Sequence, residues 1–146
     1  MATKTKTPPA AHAPHHRIRR MTEDDLGAAA ALMRARGLAK GRDLRERLSV
    51  LARSETADCF VAEAKADVIG VVLSSFNGFH VFISHIAVVE DLERHGIGAE
   101  LLEAVVNRAN QRRAVGLVVD SRLTSTTFFF RHGFRLPGAV LMIRDL

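Results

Sequence analysis

Residues 85–102 read HIAVVEDLERHGIGAELL: an apolar run of strand type, then Gly96 and Gly98, then apolar positions at helical spacing. Glycines at the opening of a helix suit an anion. The first turn has N–H groups without partners at the positive end of the dipole, and missing side chains let a phosphate approach the backbone. The competing reading is a tight strand-to-helix turn with no ligand. Two nucleotide-binding patterns can be tested on the letters, and both fail. A dinucleotide fingerprint needs a third glycine at position 101, which is Leu101, and it follows the first strand of its unit, whereas several elements precede this one. A Walker A loop needs Gly-Lys-Ser/Thr, which the chain lacks.

Acid–base chemistry has few candidates. Strand side chains alternate, so Phe82, Ser84, Ile86 and Val88 share one face, where Ser84 could hold a water that relays a proton. His85 titrates in the right range, yet alternation puts it on the opposite face unless the strand bulges; a core histidine is the alternative. His80 shares the parity of Ser84 but falls near a hairpin tip. Cys59 starts a strand and reads as a small buried hydrophobe, not a nucleophile. As the only cysteine it excludes an internal disulfide framework and any cysteine-cluster metal site. No metal is expected; His12, His15 and His16 belong to a solvated tail. Between residues 34 and 53 lie Arg34, Arg36, Lys40, Arg42, Arg45, Arg47 and Arg53 against Asp43 and Glu46 alone. That excess fits either a solvated helix face or a surface for carboxylate or phosphate, which a guanidinium grips with two parallel bonds.

The elements that must position these residues follow from punctuation. Residues 17–20 suit an edge strand. Thr22 followed by Glu23, Asp24 and Asp25 starts a helix that stops at Gly37. A second helix is expected over about 42–53. Residues 59–64 and 68–76 alternate as strands joined at Ala66-Asp67, and Asn77-Gly78 marks a two-residue hairpin turn into residues 80–89. After the glycine loop comes a helix whose Leu101, Leu102, Val105, Val106 and Ala109 share a face. Residues 114–120 form a strand, 122–132 a helix closed by Gly133, and 138–146 a last strand. The order is β-α-α-β-β-β-α-β-α-β.

With 146 residues, 47% hydrophobic and 25% charged, the chain suits one folded domain and excludes a wholly disordered one. No apolar stretch approaches the roughly 18–20 residues of a membrane span. The net charge of +5 and pI near 10.3 reside in a tail: residues 1–20 hold five basic side chains and no acid, so the body is neutral. Residues 1–16 are expected to be a flexible basic tail and 17–146 a single domain. Arginine outnumbers lysine in the manner of a GC-rich bacterial genome. The start of the chain has no apolar core of secretory type, so a cytoplasmic home is expected.

Over residues 17–146 the pattern resembles the GNAT superfamily of N-acetyltransferases. That family's Gln/Arg-x-x-Gly-x-Gly/Ala signature, between its fourth strand and third helix, corresponds to Glu93, Arg94, His95, Gly96, Ile97 and Gly98. Glu93 departs from it. A second signature, a Phe-Tyr pair followed three residues later by Gly-Phe, corresponds to Phe128, Phe129, Gly133 and Phe134. Arg122 and the ending Arg144 to Leu146 are similar to the small aminoalkylphosphonate-type members. The resemblance implies an α/β fold: a mixed, mostly antiparallel sheet with helices on both faces, split after the fourth strand where acetyl-CoA enters. It also implies backbone contacts from Ala87, Val88 and Val89 to the acetyl-pantetheine arm, a pyrophosphate cradle of Arg94, His95, Gly96, Ile97, Gly98 and Ala99, and a channel lined by Arg122, Phe128 and Phe129. The catalytic candidates are Ser84 and His85. The family's Tyr often protonates the departing thiolate; Phe129 stands there and the chain has no tyrosine. The expected activity is acetyl transfer from acetyl-CoA, a co-substrate, to the primary amine of a small molecule that can bear an anionic group. The alternative is a non-catalytic CoA-binding or interaction module. No specific nucleic acid and no membrane is expected as partner, and a homodimer is left open. A third reading, nucleic-acid binding, would rest on the tail alone.

Overall fold

The structure, a computed structural model, describes residues 13–39 and 41–145. Most of the expected tail, residues 1–12, lies outside the described residues, as do Lys40 and Leu146. Strands β1 (Arg17–Arg20), β2 (Phe60–Ala64), β3 (Asp67–Phe76), β4 (His80–Val88) and β5 (Gly116–Val119) lie side by side in chain order. The first four are antiparallel and β5 joins β4 in parallel. Helices α1 (Leu26–Ala35) and α2 (Leu44–Arg53) fall between β1 and β2, α3 (Ile97–Gln111) between β4 and β5, and the short α4 (Thr126–Arg131) follows β5.

Alternation along the strands divides the core in two. On one face Val61, Val71 and Leu73 meet Leu26, Ala29, Ala30, Met33, Leu44 and Leu48 of α1 and α2. On the other, Ala62, Val72, Val81 and Ile83 meet the Ile97, Leu101, Leu102, Val105 and Ala109 stripe of α3. A helix that presents one apolar stripe at this spacing gains its stability from such burial more than from propensity. The close approach of α3 requires Gly70: a Cβ there would lie 2.9 Å from Leu101 Cδ1. His16 extends order upstream of residue 17, with Nε2 3.0 Å from Glu100 Oε2 on α3.

The back of the sheet carries a buried carboxylate. Asp58 is paired with Arg108 Nε at 2.9 Å, with Arg112 and with Arg20 at 3.2 Å. Burial alone would raise its pKa, but the bonds from Arg112 and Arg108 outweigh that and hold it below the ordinary aspartate value. Stability from this group is therefore complete above the ordinary aspartate range and is lost as pH falls below it. Asp58→Ala strands three guanidiniums and should lower unfolding free energy by about 3 kcal/mol in urea titrations, the low end for breaking a buried pair because the arginines keep some solvent.

Several sequence expectations are corrected. The first hairpin turns at Lys65 and Ala66, both with positive φ, one residue before Ala66-Asp67. In the second, Asn77 sits outside the loop: its N–H donates to the His80 carbonyl at 3.2 Å and its Oδ1 accepts from the His80 N–H at 2.8 Å, leaving Gly78 and Phe79 at the tip. The expected last strand does not form. Residues 134–145 have no regular secondary structure, and Leu136, Val140, Leu141, Met142 and Ile143 are exposed. Pro137 and the left-handed Gly138 precede an apolar run that finds no cross-strand neighbour among the described residues, and propensity without pairs does not make a strand.

Candidate active site

The sheet opens where β4 outruns β5. Pairing between them stops at Ile83–Val119, so among the described residues Ser84 to Val88 have no strand neighbour on that edge. A cleft of about 730 Å³ occupies the gap, walled by Ile86, Ala87 and Val88 on β4, Arg94, Gly96, Gly98 and Ala99 at the start of α3, Arg122, and Phe128 and Phe129 on α4. A bare strand edge offers N–H and C=O groups to an extended chain.

The edge leads directly into α3. Gly96 is the residue before the helix, with φ +87°, a conformation that disfavours side chains. Arg94 is also left-handed, at φ +62°. The Glu100 N–H donates to the Gly96 carbonyl at 3.0 Å, while the N–H groups of Ile97, Gly98 and Ala99 belong to the first turn and have no acceptor within the helix. Gly98 has ordinary backbone geometry; a Cβ there would touch the Phe128 ring at 3.6 Å and Val88 Cγ2 at 3.8 Å. It is glycine to keep the space between α3 and Phe128 open. Phe128 and Phe129 meet edge to face with centroids 5.1 Å apart, and Phe129 rests on Phe134 in the same manner at 5.3 Å.

β4 contains a bulge that decides the acid–base side. Leu73 pairs with His85 but Ser74 pairs with Ile83, so Ser84 is an extra residue. Odd-numbered Val81 and Ile83 pack toward α3, whereas odd-numbered Ala87 packs toward α1. Positions 82, 84, 86 and 88 therefore do not share a face, and His85 turns to the α1 side with Ala87. Ser84 Oγ donates to the Leu73 carbonyl at 3.4 Å. The His85 ring is half-buried, its Nδ1 is enclosed and has no hydrogen-bond partner among the described residues, and burial holds its pKa below the ordinary value. Contact with the Leu38 backbone and the charge of Asp120 pull upward; Arg122 pulls downward.

The other expected residues sort themselves by contact. Val89 has both backbone groups engaged, its N–H with Ile69 and its C=O with Leu92. Ile97 is buried in the core and is not part of the cleft wall. The His95 ring bonds to the Glu93 carbonyl at 2.7 Å, outside the cleft wall. His80 lies at the far end of β4, and burial raises the Cys59 thiol pKa, which suits packing and not attack. The sequence reading missed Leu38, Thr124, Ser125, Thr127, Arg131 and His132, all in the wall. His132 stacks on Phe128 at 4.5 Å, one helical turn on, which spacing could have signalled.

A mixed sheet is parted after its fourth strand, and a helix opens on two glycines at the parting. A model of the acetyltransferase (GNAT) domain matches residues 27–141, and the chain belongs to that family of acetyltransferases. No curated protein matches it. Among solved structures, a transcriptional regulator from Bacillus halodurans C-125 is similar at 15% identity and TM-score 0.78, over 90% of this chain and 100% of that one. A predicted acetyltransferase from Clostridium acetobutylicum, solved with acetyl-CoA, gives 14% and 0.78 over 89% and 96%. The aminoglycoside N-acetyltransferase AAC(6')-Iy in complex with CoA gives 20% and 0.77 over 96% and 99%. At these identities the likeness concerns the fold.

Proposed function

We propose that this acetyltransferase moves an acetyl group from acetyl-CoA to the primary amine of a small molecule by direct attack. The observation that carries the reading is the unpaired β4 edge running into the glycine-opened first turn of α3. The residues fit the cofactor: Ala87 and Val88 present backbone to an acyl-pantetheine arm, Arg94, Gly96, Gly98 and Ala99 surround a pyrophosphate, and Arg122, Phe128 and Phe129 line the channel between. Bound acetyl-CoA supplies a thioester carbonyl open to a nucleophile. His85, neutral near pH 7, takes the proton that the amine loses as its nitrogen forms the new bond, and Ser84 beside it holds the relaying water. As the carbon–sulfur bond breaks, the thiolate takes its proton from water, because Phe129 has none to give.

The acceptor side leans toward an anionic group. Arg36, Arg47 and Arg53 have carboxylate partners, whereas among the described residues Arg34, Arg42 and Arg45 have none. Guanidiniums without a carboxylate around the α1–α2 corner favour an amine that also bears a carboxylate, phosphate or phosphonate.

The test is thiol release over a panel of amines, half of them anionic, beside calorimetric CoA binding. Turnover with preference for the anionic members is the expected outcome. The missing tyrosine favours one second reading, a CoA-binding module without turnover; binding with no thiol release on any amine would establish it. A further expectation follows from the same absence. Phe129→Tyr should raise kcat several-fold with little change in the KM for acetyl-CoA, since the new hydroxyl acts as charge develops on sulfur. Steady-state kinetics and a melting curve check it; unchanged turnover in a folded variant would mean that thiolate protonation does not limit the rate.

A further inference from the structure

Three consecutive residues at the α1–α2 corner reach three different parts of the cleft. Arg36, which caps α1, sends its guanidinium to Glu93 and, at 3.6 Å, to Glu90, both in the loop before α3. The Gly37 carbonyl accepts a bond from Arg122, beyond β5. Leu38 stands in the cleft wall, and its backbone meets His85. The corner is itself fixed, with the Gly37 N–H bonded to Arg34 at 3.0 Å and the Leu38 N–H to Met33 at 2.9 Å.

Charge gives the first of these contacts a purpose. Glu93 occupies the place where the signature has Gln or Arg. Without a partner, Glu90, Asp91 and Glu93 would set three carboxylates within four residues of the chain, just before a turn built for a polyanion. Arg36 comes from 57 residues away to meet two of them.

We propose that Arg36 is a positioning residue that cancels Glu93 at the mouth of the pyrophosphate cradle and, through that grip, holds Leu38 against His85. One contact thereby builds the cofactor site and the base together. The proposal rests on the reading of the cleft as the acetyl-CoA site and of His85 as the base, so its test uses neither turnover nor a known acceptor.

Arg36→Glu, Glu93→Arg and the double exchange are compared with the unaltered protein by calorimetric titration with CoA and by NMR titration of the His85 ring, assigned by its loss in His85→Gln. The groups facing that ring, Asp120 and Arg122, are the same in all four proteins. Arg36→Glu should weaken CoA about ten-fold, mid-range for contacting charged pairs in double-mutant cycles. It should also move the His85 midpoint up toward the ordinary imidazole value as water reaches the loosened corner, because relief of burial, the largest influence on the ring, outweighs the lost upward pull of the Leu38 backbone. Glu93→Arg should bind CoA at least as tightly as the unaltered protein, because a cation now stands at the signature position, yet shift His85 in the same upward direction. The double exchange should return both readings close to the original. A merely structural tie would move both readings together and would not split them in Glu93→Arg. The proposal is overturned if Glu93→Arg leaves the His85 midpoint in place, or if the double exchange binds CoA as poorly as Arg36→Glu. Should Arg36→Glu fail to fold, Arg36→Gln and Glu93→Gln carry the same two readings: both should raise the midpoint, and only the former should weaken CoA.

Discussion

Gly98→Glu should abolish CoA binding and leave the protein folded. The backbone at Gly98 is ordinary helix, and a Cβ there would meet Phe128 and Val88 at normal van der Waals distances, so a side chain can start from this position without backbone strain. A glutamate in the first turn of a helix is moreover favourable toward the dipole. Its carboxylate would then occupy the gap between α3 and Phe128, where the cradle would hold a pyrophosphate. Two like charges about 4 Å apart at a protein surface repel by roughly 4 kcal/mol, which corresponds to about a thousand-fold in affinity. Calorimetric titration with CoA should therefore show no measurable heat, while the melting temperature stays within a few degrees of the original. A folded variant that binds CoA within a few-fold would place the phosphate site elsewhere. Gly96→Glu would not be informative, because at φ +87° any side chain strains the backbone whether or not a ligand is present.

That contrast between two glycines shows where the sequence was legible and where it was not. The position of the glycine loop, between a long strand and an amphipathic helix, could be read from local pattern, and so could the stripe of Leu101, Leu102, Val105 and Ala109 that α3 buries. Local pattern could not say which glycine was needed for backbone and which for space, since that depends on Phe128 arriving from α4. The hairpin tips moved by one residue for a related reason: Asn77 bonds to His80 through its side chain from outside the loop, which dipeptide preference does not reveal. The bulge at Ser84 is set by how β4 registers against β3, and the Arg36–Glu93 pair joins residues far apart in the chain; neither leaves a mark in the run of letters around it. At the C-terminus the letters misled, because Val140 to Ile143 have strand propensity but, among the described residues, no neighbour to pair with.

The bulge makes the histidine testable. With Ser84 as the extra residue, His85 faces the α1 side, and the Leu38 and Arg122 beside it belong to the cleft wall. Its Nδ1, buried and without a partner among the described residues, and its depressed pKa describe an imidazole kept neutral near pH 7, the state in which it can accept a proton from an amine. His85→Gln should therefore lower kcat/KM for the amine by about 100-fold, the low end for loss of general base catalysis because Ser84 and water remain, and leave CoA binding unchanged. The pH profile gives the sharper reading. In the unaltered protein the rate should fall as pH drops below the ordinary histidine range, over and above the titration of the amine itself. His85→Gln should lose that additional acid limb and follow the amine alone. Stability moves in the same window: an imidazole whose folded pKa is depressed contributes stability that is present above its unfolded value and is lost as pH falls through the lower folded one. Melting temperatures from pH 7 to 5 should thus decline more steeply for the unaltered protein than for His85→Gln. If the variant keeps its acid limb and its rate, the proton leaves the amine by another path, and His85 is a packing residue that the bulge turns toward α1.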